Sequence, residues 1–287
     1  MNKNIFVTGS SGLFGTSLKK KLLEKKIKFK VFKRKKFKKY DKFYFSKFFN
    51  KNRFTHIINL AAYTDVDGCE KNKKKCELVN IKLVKNICDG IQLSEFKSKL
   101  IHFSTDQMYN NEKLNDEKNS KIRNFYTLSK IKSEKLALKI DSIILRTNFF
   151  GRSLTKKRVS FSDWVYNSIK NSNKIYLADD IYFSPISIDR LIKIVLKLLD
   201  TNHKGIYNIG SKNGFSKYQF GYLFAKMKHL DPKYIIKVKK ENLKFLANRN
   251  NDMRMQLKKF EKVFQIKLPN LINELRYITK IYYKKSK

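Results

Sequence analysis

The chain has 287 residues, enough for a large core in one or two domains, and its 65 Lys and Arg against 24 Asp and Glu give a formal net charge of +41. That balance would ordinarily point to nucleic acid. Here the lysines run along the whole chain, and Lys, Asn, Ile, Phe and Tyr are abundant while Gly (10), Pro (3) and Trp (1) are scarce. This is the residue usage of AT-rich coding, so the charge is read as genome composition. Its field still favours anionic ligands, nucleotides among them. No charged and apolar leader precedes a cleavage site, and apolar runs such as Leu191 to Leu199 are too short and lysine-broken to span a bilayer. Cys69, Cys76 and Cys88 form no C-x-x-C pair, and an odd count of free thiols suits a reducing cytoplasm.

Ile5, Phe6 and Val7 predict a short buried strand, and Leu18, Leu22 and Leu23 recur at helical spacing. Between them stand Gly9, Gly12 and Gly15, spaced G-x-x-G-x-x-G. Strand, glycine turn and helix in that order make a dinucleotide site. A residue without Cβ takes φ > 0 at the turn and lets main-chain amides approach a pyrophosphate. Gly9, Ser11, Gly12, Leu13, Phe14 and Gly15 are therefore the expected cofactor contacts, with no metal. Ile27 to Phe32 alternates apolar and basic residues as a second strand. Where an acid would select NAD, the chain has Lys33, Arg34, Lys35 and Lys36. Arg34 or Lys33 can bind a 2′-phosphate instead, which leans toward NADPH over NADH.

Thr55 to Ala62 reads as a third buried strand, whose small final residues Ala61 and Ala62 let a cofactor cross the sheet edge. His56 there is expected to be structural. A helix is predicted from about Lys71 to Gly90, with Asn80 inside it against its propensity. Leu100 to Asp106 is a fourth strand, with polar residues at the end where ligands bind in open α/β sheets. A polar loop leads to a helix carrying Tyr126 and Lys130, four apart and so on one face. Ser142 to Thr147 is a further strand. The alternation predicts an α/β fold, a Rossmann-type doubly wound parallel sheet over 1–150. It breaks after Gly151. Residues 151–287 are expected to form mainly a smaller substrate domain, with 181–204 returning to the first domain. Trp164 is expected in the core rather than stacked on a base.

Thr8-Gly9-x-x-Gly12-x-x-Gly15, Asn59-x-Ala61-Ala62, Ser104-Thr105-Asp106 and Tyr126-x-x-x-Lys130, in that order, resemble the extended short-chain dehydrogenases/reductases. Asn59 to Glu70, Ser104 to Gln107 and Asp180 to Ile186 more narrowly resemble the dTDP-4-dehydrorhamnose reductase family. The resemblance implies NAD(P)H-dependent reduction of a nucleotide-linked 4-keto-deoxysugar in polysaccharide biosynthesis, with Thr105, Tyr126 and Lys130 catalytic. It also implies substrate contacts at Thr64, Val66 and Asp106, and Asn80 supporting the lysine through water. The chemistry agrees. A ketone that receives hydride needs a proton, a free phenol has a pKa of about 10, and a nearby ammonium lowers it. Gln107 stands where sugar-nucleotide 4,6-dehydratases carry Glu, and an amide cannot exchange that proton. An epimerase and a non-catalytic NAD(P)-binding regulatory subunit are the alternatives. The expected partner is a nucleotide sugar, with no specific nucleic acid; a homodimer is left open. Asn148-Phe149 departs from the family's usual Ser-Trp.

Overall fold

The computed structural model describes residues 3–32, 40–110, 114–155 and 158–283. Lys33, Arg34, Lys35 and Lys36, the residues read as a 2′-phosphate site, lie outside the described residues.

The chain opens with β1 (Asn4–Thr8), α1 (Leu13–Glu24), β2 (Lys28–Val31), α2 (Lys42–Asn52) and β3 (His56–Asn59). Next come α3 (Val66–Lys71), α4 (Lys73–Glu77), a π-helical turn (Leu78–Lys82) and α5 (Leu83–Leu93). Then follow β4 (Lys99–Thr105), α6 (Phe125–Ala137), β5 (Ser142–Thr147), β6 (Phe149–Phe150) and α7 (Phe161–Lys170). The remainder is β7 (Ile175–Ala178), β8 (Tyr182–Phe183), β9 (Ile186–Ser187), α8 (Ile188–Leu198), β10 (Gly205–Ile209), β11 (Phe215–Ser216), α9 (Lys217–Met227), β12 (Ile235–Val238), α10 (Lys258–Phe264) and α11 (Leu271–Tyr283). The central parallel sheet has six strands in the order β10-β5-β4-β3-β1-β2. The order reverses at β1, as in a doubly wound sheet.

Two compact units result: 1–105 with 122–146 and 194–207, and 106–121 with 147–193 and 208–287. The first unit's core is aromatic on one side of the sheet. Phe6, Phe45, Phe49 and Phe54 are buried with Ile57, Leu83, Ile87 and Leu100. The second unit gathers Phe150, Phe183, Phe220 and Phe224 with Val165, Leu177, Leu271 and Leu275 around short two-stranded ladders, β11-β8, β12-β7 and β6-β9.

The helix expected from about Lys71 to Gly90 runs without interruption from Lys73 to Leu93 as α4, the π turn and α5. It starts after Asn72, whose side chain caps α4 by accepting from the Lys75 N–H at 2.9 Å and so separates it from α3, and it widens into the π turn that holds Asn80. A short polar side chain that satisfies main-chain amides competes with helix continuation, and periodicity alone does not reveal it. Trp164 is not core. It is 39 % exposed on α7 and stacks against Phe161 with ring centres 5.9 Å apart. Among the described residues no helix is long and apolar enough to cross a membrane, and no cluster of three or more His, Cys, Asp or Glu is placed to hold a metal. All three cysteines are free and buried.

Candidate active site

The glycine turn joins β1 to α1. Gly9 has φ +65°, and a Cβ on it would lie 2.5 Å from the Leu60 carbonyl carbon. A Cβ on Gly15 would lie 2.4 Å from the Gly9 oxygen, so both positions are closed to side chains by main chain. Gly12 differs: its φ is −77°, and the nearest atom to a Cβ is the Gly9 oxygen at 3.3 Å. It is the N-cap of α1, and no side chain caps that helix. By contrast Asp41, Asn124, Ser160 and Ser216 cap α2, α6, α7 and α9. A helix N-terminus that no side chain caps fits a dinucleotide pyrophosphate. Ser11 is exposed, and Leu13 is half-buried. Phe14 is buried, its ring 4.9 Å from that of Phe103, so its side chain serves the core and only its main chain faces the turn's task. Ala61 and Ala62 follow β3, half-buried, and the Ala61 N–H donates to Thr8 Oγ1 at 3.2 Å.

Tyr126 and Lys130 stand one turn apart on α6, and both are buried, at 6 % and 2 % exposed. The helix starts where it does because Asn124 and Thr127 form a reciprocal capping box. A further cap comes from α3: Glu70 Oε1 accepts from the Phe125 N–H at 2.6 Å. A carboxylate at a helix N-terminus also meets the dipole favourably. Lys130 Nζ donates to the Phe103 carbonyl at 2.7 Å. Burial pushes its ammonium down to about 8, opposed by the charges of Glu134 and Cys76. Thr105 is buried at the end of β4, two residues beyond that carbonyl.

Asn80 is fully buried. Its Oδ1 accepts from the Tyr63 N–H at 2.7 Å, and its Nδ2 donates to Tyr63 O at 3.1 Å and Ser129 Oγ at 2.9 Å. It clamps the main chain that follows β3 onto α6. Ser129 Oγ in turn donates to the Tyr126 carbonyl at 2.7 Å. His56 is structural: Nδ1 lies 3.0 Å from Thr55 Oγ1, and burial pushes the ring down to about 4.

Of the expected substrate contacts, Thr64 is exposed and Val66 buried in the first unit, while Asp106 belongs to the second. The Asp106 carboxylate accepts from Asn148 Nδ2 at 3.0 Å, and burial pushes its pKa up against the pull of Asn148, Lys217 and Gln107. Lys217 was missed by the sequence reading. Its ammonium stands on the Phe183 ring, 3.2 Å from the centre, and desolvation pushes it down to about 8 against the attraction of Asp106. No motif marks it, since one lysine among so many carries no signal.

The chain is 29 % identical over 177 residues to a probable low-salt glycan biosynthesis reductase of Haloferax volcanii, a match spanning 58 % of this chain and 57 % of that protein. It is 27 % identical over 232 residues to a dTDP-4-dehydrorhamnose reductase of Aggregatibacter actinomycetemcomitans, covering 75 % of this chain and 76 % of that one. The crystal structure of dTDP-4-dehydrorhamnose reductase from Bacillus anthracis in complex with NADP superposes with a TM-score of 0.88, at 21 % identity, over 98 % of this chain and 100 % of that chain, and shares its fold. The model of the RmlD substrate binding domain matches residues 3–283, and the chain belongs to that family, as the motifs around Gly9, Asn59, Thr105 and Tyr126 lead one to expect.

Proposed function

We propose that this protein is an NAD(P)H-dependent reductase of a nucleotide-linked 4-keto-deoxysugar. One observation carries the reading. A single compact unit holds an uncapped glycine turn, a buried Tyr126 and Lys130 on one helix face, and Thr105 at the adjoining strand end. The relatives named above support it: two are dTDP-4-dehydrorhamnose reductases, one of them crystallised with NADP, and the third is a probable glycan biosynthesis reductase. The main chain of Gly9, Ser11, Gly12, Leu13, Phe14 and Gly15, with Ala61 and Ala62, would hold the dinucleotide, and Arg34 its 2′-phosphate. When bound, the nicotinamide supplies the hydride.

The chain's own groups manage the oxygen. The Thr105 hydroxyl donates a hydrogen bond to the substrate carbonyl. As that oxygen gains charge, the Tyr126 phenol hands it the proton. Lys130, still an ammonium at neutral pH, stabilises the phenolate left behind. Thr64, Val66 and Asp106 are assigned to the sugar nucleotide.

The test is binding of NADPH and NADH, followed by cofactor oxidation with a panel of dTDP-, UDP- and GDP-linked 4-keto sugars. Binding with oxidation by one member supports the reductase. Binding without oxidation by any member refutes it and shifts weight to a regulatory subunit or epimerase. Arg34→Ala is expected to weaken NADPH more than NADH; equal losses count against its phosphate role.

A further inference from the structure

Lys130 is anchored on a strand that carries two more contacts to its helix. Along β4, His102 and Ser104 point to one face and Phe103 to the other, where it packs on Phe14. Ser104 Oγ donates to Glu134 Oε1, and Glu134 is held by Arg146 through Nε at 2.9 Å and Nη2 at 2.6 Å. His102 Nε2 lies 3.0 Å from Ser133 Oγ. The Phe103 carbonyl that receives Lys130 Nζ therefore sits between two side-chain pins from β4 to α6.

The His102 pin continues across the sheet. Thr8 of β1 is registered opposite Asn59 of β3, and Asn59 opposite His102 of β4, so the three side chains form one row. The direction of each bond is fixed by its neighbours. The Ala61 N–H donates to Thr8 Oγ1 at 3.2 Å, and Thr8 Oγ1 donates to Asn59 Oδ1 at 2.5 Å. That leaves Asn59 Nδ2 as donor to His102 Nδ1 at 2.9 Å. A ring that accepts at Nδ1 carries its proton on Nε2, so it donates to Ser133 Oγ, which donates to the Lys130 carbonyl at 2.7 Å. Each bond in the row thus has a defined donor and acceptor, and the row ends on the residue that bears the ammonium. The ring is neutral: burial, with the nearby Lys130 charge, pushes it well below the usual imidazole range. A protonated ring would lose the Nδ1 acceptor and break the row. An apolar row would hold three strands together equally well. What this row adds is a fixed sliding position of α6 on β4.

We infer that His102 is a positioning residue that sets Lys130 through Ser133, tying the turn that follows β1 to the catalytic helix. The inference rests on the reductase reading only in needing a cofactor that contacts Lys130. It does not need the sugar to be known.

The test is a double-mutant cycle on NADPH affinity, read by cofactor fluorescence, with His102→Leu, Lys130→Met and the pair. His102→Leu is expected to weaken NADPH about tenfold in the wild-type background and less than about twofold beside Lys130→Met. His102→Gln can accept and donate as the ring does, and is expected to restore most of the loss. With an active sugar in hand, kcat should fall about a hundredfold in His102→Leu while the sugar KM stays within about twofold. Equal weakening in both backgrounds, or no rescue by Gln, overturns the inference and leaves His102 as sheet packing. If His102→Leu does not fold, Ser133→Ala keeps the ring in place, removes its contact to α6 and the bond to the Lys130 carbonyl, and enters the same cycle with the same expectations. A wild-type protein that binds neither cofactor brings down the reading of the glycine turn and this inference with it. Normal binding with an additive cycle brings down the inference alone.

Discussion

Replacing Lys130 by Met separates the cost of the buried ammonium from its use. The fold holds this group near 8 against an ordinary value of 10.5, chiefly by burial. At 1.36 kcal/mol per pH unit, keeping it charged at neutral pH costs the fold about 3 kcal/mol. The sign follows from proton counting. A depressed lysine binds fewer protons folded than unfolded between those two values, so wild-type stability rises through that window. Below pH 8 the cost is fully present; above 10.5 it is gone. Lys130→Met never carries it, but leaves the Phe103 carbonyl without its donor, at about 1 to 2 kcal/mol. The variant should therefore be more stable than wild type by about 1 to 2 kcal/mol at pH 7, and the difference should move by about 2.5 kcal/mol by pH 10, leaving the variant the less stable by about 1 kcal/mol. Lys217 and Lys228, also pushed to about 8, titrate in the same window in both proteins and cancel in the difference. Urea unfolding of the two proteins at pH 7, 8.5 and 10 reads it directly. Parallel stability curves would refute the argument and show that the ammonium is well solvated in the folded chain. Turnover should be lost in the variant at every pH.

Tyr126→Phe is expected to bind NADPH within about twofold of wild type and to lose about 10²- to 10⁴-fold in kcat; retained turnover would remove Tyr126 as the acid. Gly15→Ala puts a methyl 2.4 Å from the Gly9 oxygen and 2.8 Å from the Ser10 Cα, main-chain atoms with no room to give. It should cost about 2 kcal/mol of stability and most NADPH affinity, and an unchanged unfolding midpoint would contradict the packing described. Glu70→Ala removes the acceptor for the Phe125 amide at the start of the catalytic helix. It should cost about 1 kcal/mol in denaturant unfolding, with Glu70→Gln losing less because an amide oxygen still accepts.

What could be read in advance was what lies close together in sequence. β1, the glycine turn and α1 follow one another without a break, so period and spacing were enough, and the parallel alternation of β1 to β5 followed from the same signals. The π turn at Asn80 was not legible, because its cause is the pairing of that amide with Tyr63 and Ser129, 17 and 49 residues away. Glu70 was visible only as part of a motif; its use as a cap on α6 needs a contact across 55 residues. Trp164 misled because an aromatic on an amphipathic helix favours the core, while α7 buries Val165 and Ile169 instead and turns the indole outward. His102 shows the limit most clearly. In the sequence it is one polar residue in an apolar strand, and its meaning depends on strand register: shifted by one position, β4 would present Phe103 to α6 and His102 to Phe14, and no row of hydrogen bonds would form. The same register that buries the ring supplies the acceptor for Lys130, because the Phe103 carbonyl lies between the two pins. Local pattern thus specifies which elements exist and which residue types carry the chemistry. The precision of a proton-handling site comes from how far one element slides on its neighbour, and that is settled by buried polar groups whose partners only the folded chain brings within reach.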